Sequence, residues 1–116
     1  MDRPMAIHVV YANWCPHCVP TTVEPLKKRA GELGIGCVLH DIDSGEVGVA
    51  DDLIRKYGDW TEDYLVPQVF LEYERGRFDH VLTGDPRGVA FTKKAVADLL
   101  TTGPLVVGGH REAVSK

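Results

Sequence analysis

Apolar residues recur along this chain with two different periods, and the alternation of those periods predicts its architecture. Residues 5–11 hold a near-continuous apolar run that includes Ile7, Val9, Val10 and Tyr11. A run of that kind, rich in β-branched residues, predicts a strand covered on both faces. After Val19 the spacing changes to three and four. Val19, Val23, Leu26, Ala30 and Leu33 form one stripe, with Lys27, Lys28, Arg29 and Glu32 on the wet side. That pattern predicts a helix to about Leu33, ended by Gly34 and Gly36. Pro25 lies well inside it and deletes a backbone donor, so a kink is expected there. Residues 35–42 read as a second strand, with Cys37, Val38, Leu39 and Ile42 as its apolar members. Asp43 to Glu46 resembles a capping turn. Val47, Ala50, Leu53, Ile54 and Tyr57 then mark the face of a second helix, stopped by Gly58.

Asp59 to Leu65 is a polar and aromatic linker. Val66 to Tyr73 predicts a third strand, with Pro67 tolerated at its start. A short turn containing Gly76 leads into a fourth strand, Phe78 to Leu82, so these two form an antiparallel hairpin. Asp85 is the expected N-cap and Pro86 the first residue of a last helix running to about Thr102. Val89, Val96, Leu99 and Leu100 are its expected inward positions, and Gly103-Pro104 its terminator. Residues 1–104 then make one domain, and residues 105–116 are expected to be a flexible tail. The order βαβαββα predicts an α/β fold with a four-stranded mixed sheet and helices on both faces. Its first two strands are parallel through a right-handed crossover.

Composition narrows the function classes. The chain has 116 residues and a net charge of −4. That length suits one domain, and that charge gives no general footprint for nucleic acid. No apolar run is long enough to span a bilayer, and the start Met1-Asp2-Arg3-Pro4 lacks the basic region of a signal peptide. Three cysteines are an odd number for a secreted disulfide scaffold. The expectation is a monomeric cytoplasmic protein whose cysteines do chemistry.

The chemistry concentrates in Trp14-Cys15-Pro16-His17-Cys18, between the first predicted strand and the first predicted helix. The first turn of a helix offers unpaired N–H groups and the positive end of a dipole, which stabilise a thiolate. Cys15 is the expected nucleophile, and Cys18, one turn further in, the resolving thiol. Pro16 sits where a missing N–H costs little. His17 adds a donor and partial positive charge, favouring the thiolate and a more oxidising couple. A zinc site needs four ligands, and no second Cys-x-x-Cys or His-x-x-x-His lies downstream. No metal and no cofactor is expected. Cys37 reads as a small buried hydrophobe. His8, His40, His80 and His110 read as strand or surface residues, and Asp41 and Asp43 as a solvated strand end.

On Trp14-Cys15-Pro16-His17-Cys18, Lys56-Tyr57-Gly58, Val66-Pro67 and Gly84, the chain resembles the thioredoxin superfamily from Ala6 to Thr102. The resemblance implies a thioredoxin-like fold in which Pro67 is cis and faces the cysteine pair. It implies that the Val66 backbone pairs with an extended substrate, and that Trp14 and Gly84 flank the groove. The implied activity is reduction or exchange of protein disulfides through a redox-active Cys15/Cys18 pair, with a reductase or small thiol as electron donor. Val66-Pro67-Gln68-Val69-Phe70 is similar to glutaredoxins, so a glutathione-dependent enzyme is the first alternative. An iron–sulfur or metal-binding module is the second. Three positions depart from the family pattern. Val9 replaces the buried Asp of thioredoxins, Leu39 replaces its Lys partner, and Ala12 replaces the Lys of the glutaredoxin glutathione site.

Overall fold

The computed structural model describes residues 4–12, 19–43, 47–58, 60, 65–85 and 87–106. Four strands form one sheet: β1 (Ala6–Tyr11), β2 (Gly36–Asp41), β3 (Gln68–Tyr73) and β4 (Arg77–Thr83). Among the described residues three α-helices accompany it: α1 (Glu24–Leu33), α2 (Val47–Tyr57) and α3 (Val89–Thr101). The spatial order is β2-β1-β3-β4. β1 and β2 run parallel, whereas β1/β3 and β3/β4 are antiparallel. The protein is therefore α/β with a mixed, open, four-stranded sheet, as the periodicity predicted.

Side chains on β1 alternate between the faces of this sheet, and each face has its own core. Ile7 and Val9 pack with Val69, Leu71 and Leu82 of the sheet against Val23, Leu26 and Ala30 near α1 and Val96 of α3. Val10 and Phe70 point the other way and pack against Ala50, Leu53 and Ile54 of α2. Three helices thus cover two faces, and β1 is buried on both, as its near-continuous apolar run required.

The first helix departs from its expected form. The chain makes a π-helical turn over Val19–Val23, and α1 starts only at Glu24. Pro25 then occupies the first turn of α1, where a proline costs no hydrogen bond. A regular helix through this region would need Pro25 to donate to the carbonyl four residues earlier, which it cannot do.

The start of the last helix also moves. Asp85 is not its N-cap. Gly88 takes that place with φ 145°, a backbone conformation open to glycine, and the helix begins at Val89. The Asp85 carboxylate instead accepts bonds from the Arg87 backbone N–H at 2.9 Å and from the Arg87 guanidinium at 2.6 Å. Pro86 lies outside the described residues. Thr92, not Val89, fills the buried position near the helix start, and Val89 is exposed.

Three further positions differ from the apolar pattern. Tyr57, expected on the inward face of α2, is exposed at its last turn, with its ring against Phe78. Val38 of β2 is exposed because β2 is an edge strand. Leu105, read from sequence as the first tail residue, is fully buried in a 3-10 turn, Gly103–Leu105. The Arg29 guanidinium fastens that turn, donating to the carbonyls of Leu100 at 2.8 Å and Leu105 at 2.7 Å. Residues 107–116 lie outside the described residues.

Candidate active site

The carboxyl end of β1 leads straight toward the cysteine motif. Ala12 follows β1, is fully buried, and packs against Tyr11, Ile42 and Val66. Trp14, Cys15, Pro16, His17 and Cys18 lie outside the described residues. Description stops at Ala12 and resumes at Val19, the first residue of the π-helical turn.

Val66 and Pro67 come to this end of the sheet because β3 is antiparallel to β1. Gln68 lies opposite Val10, so the two residues before it reach the level of Tyr11 and Ala12. The Val66–Pro67 peptide is cis, as the resemblance implied, and Pro67 is buried. Gly84 follows β4, which pairs with β3, and its N–H donates to the Pro67 carbonyl at 2.7 Å. A Cβ at Gly84 would fall 2.7 Å from both Pro67 Cδ and the Val66 carbonyl oxygen. Only a residue without a side chain allows this approach. Three of the predicted site residues, Val66, Pro67 and Gly84, therefore meet at one point beside Ala12.

Neighbouring bonds hold this cluster in place. The buried Gln68 side-chain amide donates to the Leu65 carbonyl at 2.9 Å, which ties down the approach to Val66. The Asp85 N–H donates to the Thr92 hydroxyl at 2.8 Å, which ties the residue after Gly84 to α3.

The positions that depart from the family pattern take apolar roles. Val9 is fully buried among Val23, Leu26 and Val69. Leu39 is half-buried against the same core. Cys37 is half-buried on β2, beside Ile7. Burial pushes its thiol above the ordinary cysteine value, and nearby Lys27 offsets part of the rise. A thiol held protonated in this way is a packing group and a poor nucleophile. The Asp41 carboxylate accepts the Asp43 N–H at 2.9 Å, closing the turn after β2.

A buried polar chain on the α2 face was not foreseen. His8 and His40 were expected at strand or surface positions and without relation to each other. Both are buried, and His8 Nδ1 lies 2.8 Å from His40 Nε2. Their ring planes lie within 13° of each other, with centroids 5.1 Å apart, so the rings meet edge to edge. His8 Nε2 in turn lies 2.8 Å from Glu72 Oε1. The parallel register brings the two histidines together, since His8 lies opposite Val38 and His40 opposite Val10 on adjacent strands. The available signal was His8 itself: a histidine inside a strand buried on both faces must find polar partners.

Among the described residues no group of three or more His, Cys, Asp or Glu is arranged to hold a metal ion. No helix among them is long and apolar enough to cross a membrane. Neither protein-family models, nor curated proteins, nor solved structures match this chain.

Proposed function

We propose that this protein is a dithiol–disulfide oxidoreductase of thioredoxin-like fold that acts on protein disulfides through Cys15 and Cys18. The observation that carries the reading is the packing of Val66, with Pro67 and Gly84 beside it, against Ala12. From Ala12 the chain enters Trp14-Cys15-Pro16-His17-Cys18 within two residues. A Cys-x-x-Cys between a central strand and a helix, at the carboxyl end of the sheet, is where α/β folds carry their chemistry.

In the proposed cycle the Cys15 thiolate attacks one sulfur of a substrate disulfide. The substrate S–S bond breaks, and its other sulfur leaves as a thiolate that takes a proton from water. Cys15 is then joined to the substrate in a mixed disulfide. The Cys18 thiolate attacks the Cys15 sulfur, the mixed disulfide breaks, and the second substrate thiol departs. Two electrons have passed to the substrate, and a Cys15–Cys18 disulfide remains. An external reductase or small thiol returns the pair to the dithiol. Val66 offers its backbone to the extended substrate, and Trp14 and Gly84 flank it. Val9 in place of an acid leaves the Cys18 thiol without the usual carboxylate to accept its proton, so that proton passes to water or to the departing substrate thiolate.

The test is disulfide reduction on an insulin-type substrate, with dithiothreitol, glutathione or a thioredoxin reductase as donor. Cys15→Ser should abolish turnover, and Cys18→Ser should accumulate mixed disulfides. The reverse pattern overturns the roles assigned to the two thiols. A wild-type chain inactive with every donor overturns the proposed activity.

A further inference from the structure

The Glu72–His8–His40 chain lies on the opposite sheet face from Val9 and takes no part in the proposed thiol chemistry. It crosses three adjacent strands, β3, β1 and β2. Its hydrogen positions follow from chemistry. The Glu72 carboxylate accepts, so His8 Nε2 carries a hydrogen. In neutral His8 the other nitrogen, Nδ1, is then an acceptor. His40 must donate to it from Nε2, so both imidazoles are Nε2–H tautomers.

We propose that this chain is a proton-limited latch that joins edge strand β2 to β1 and opens on acidification. The 2.8 Å contact between the two histidine nitrogens holds one hydrogen. The neutral pair satisfies it, and so does a pair carrying one added proton, because an imidazolium can donate across the same contact. A second added proton places N–H against N–H and two positive charges in a buried contact. His40 is the buried side chain of β2, whose other side chains are exposed or half-buried. Release of His40 therefore removes a main attachment of that strand on the α2 face.

Among the described residues, Glu72 of β3 is a countercharge in contact with His8. From β4, Phe78 meets the His8 ring edge-on at 5.1 Å. His80 of β4 bonds the Thr83 hydroxyl at 2.7 Å and lies beside Phe70. From α2, Tyr57 packs over Phe78, and Asp51, Asp52, Arg55 and Lys56 are the charged residues of that helix.

The sign follows from proton counting. The unfolded chain accepts both protons in the ordinary histidine range near ~6.5, whereas the folded pair refuses the second. Below that range the unfolded state binds more protons, so stability falls as pH falls. One withheld proton changes the unfolding constant by up to about tenfold per pH unit.

The experiment is urea unfolding of the full chain between pH 8 and pH 5, for wild type and His40→Gln. Glutamine keeps an N–H for His8 Nδ1 and cannot be charged. The expected result is an acid loss in wild type that His40→Gln reduces by about tenfold per pH unit. Identical pH dependence in the two proteins overturns the latch. Long-range 15N–1H imidazole spectra of the wild type at pH 8 test it without a variant. Nε2–H tautomers at His8 and His40 are expected, and an Nδ1–H tautomer at His8 overturns the proposal.

Discussion

Gly84→Ala is the sharpest probe of the cluster beside Ala12. The added Cβ would lie 2.7 Å from Pro67 Cδ, 2.7 Å from the Val66 carbonyl oxygen and 3.1 Å from Pro67 N. None of these atoms belongs to a side chain that can swing away, since two are backbone and the third is in the proline ring. Relief requires β3 and β4 to separate at this end. That movement strains the 2.7 Å bond from the Gly84 N–H to the Pro67 carbonyl. Overpacking of this kind costs about 1–3 kcal/mol, and loss of the bond adds about 0.5–1.5 kcal/mol. The expected destabilisation is therefore about 2–4 kcal/mol, read as a lower urea midpoint with unchanged slope. Disulfide reduction should fall as well, because the Val66 edge shifts with its support. Gly31→Ala is the control. Gly31 lies within α1 and a Cβ there meets nothing within 4 Å. Alanine at that position should stabilise by up to about 1 kcal/mol, through helix propensity alone. A Gly84→Ala protein within about 0.5 kcal/mol of wild type and fully active would refute the close-approach argument.

Two further outcomes test other parts of the fold. Arg29→Met removes both bonds that fasten the Gly103–Leu105 turn to α1 while keeping most of the side-chain bulk. Hydrogen bonds to a charged group contribute about 1.5–3 kcal/mol each, so the loss of two is expected to cost about 3–6 kcal/mol, with faster amide exchange at the end of α3. An unchanged urea midpoint would show that Leu105 stays docked without Arg29. In a Cys15→Ser, Cys18→Ser background, Cys37 is the sole thiol of the chain. Because burial raises its pKa, the folded protein should be alkylated at pH 8 more slowly than the same protein in urea. The unfolded chain ionises this thiol near ~8.5 and the folded chain at higher pH, so the folded state binds more protons in that interval. Its contribution to stability is then lost as pH rises through that interval. Equal alkylation rates with and without urea would contradict the burial of Cys37.

Much of the fold was legible because it is locally encoded. The near-continuous run in β1 and the three-and-four spacing in α1 and α2 state their own burial, and Ala50, Leu53, Ile54, Leu26 and Ala30 lie inward as the pattern required. The misplacements fall where backbone bonding overrode periodicity. Pro25, expected well inside the helix, lies in the first turn of α1 behind a π-helical turn. Asp85, a strong N-cap by type, bonded Arg87 instead and left the capping position to Gly88. Val89 is then the first residue of the helix and lies at its exposed end, while Thr92, one turn further along the same face, takes the buried place.

The candidate site divides along the same line. Trp14-Cys15-Pro16-His17-Cys18 is contiguous, so its position after β1 and the chemistry proposed for it come from the chain alone. Sequence alone also offered Val66, Pro67 and Gly84, but only by resemblance, with no distance attached. Their meeting at Ala12 depends on the antiparallel registers of β1/β3 and β3/β4. The His8–His40 contact is the clearest case of what tertiary structure decided. Thirty-two positions separate these residues, and no local pattern links them. Parallel pairing at one register puts them on the same face of neighbouring strands. A slip of one residue would send His40 to the other face, because side chains alternate along a strand. Local periodicity records which residues are buried; only strand register determines which buried residues touch.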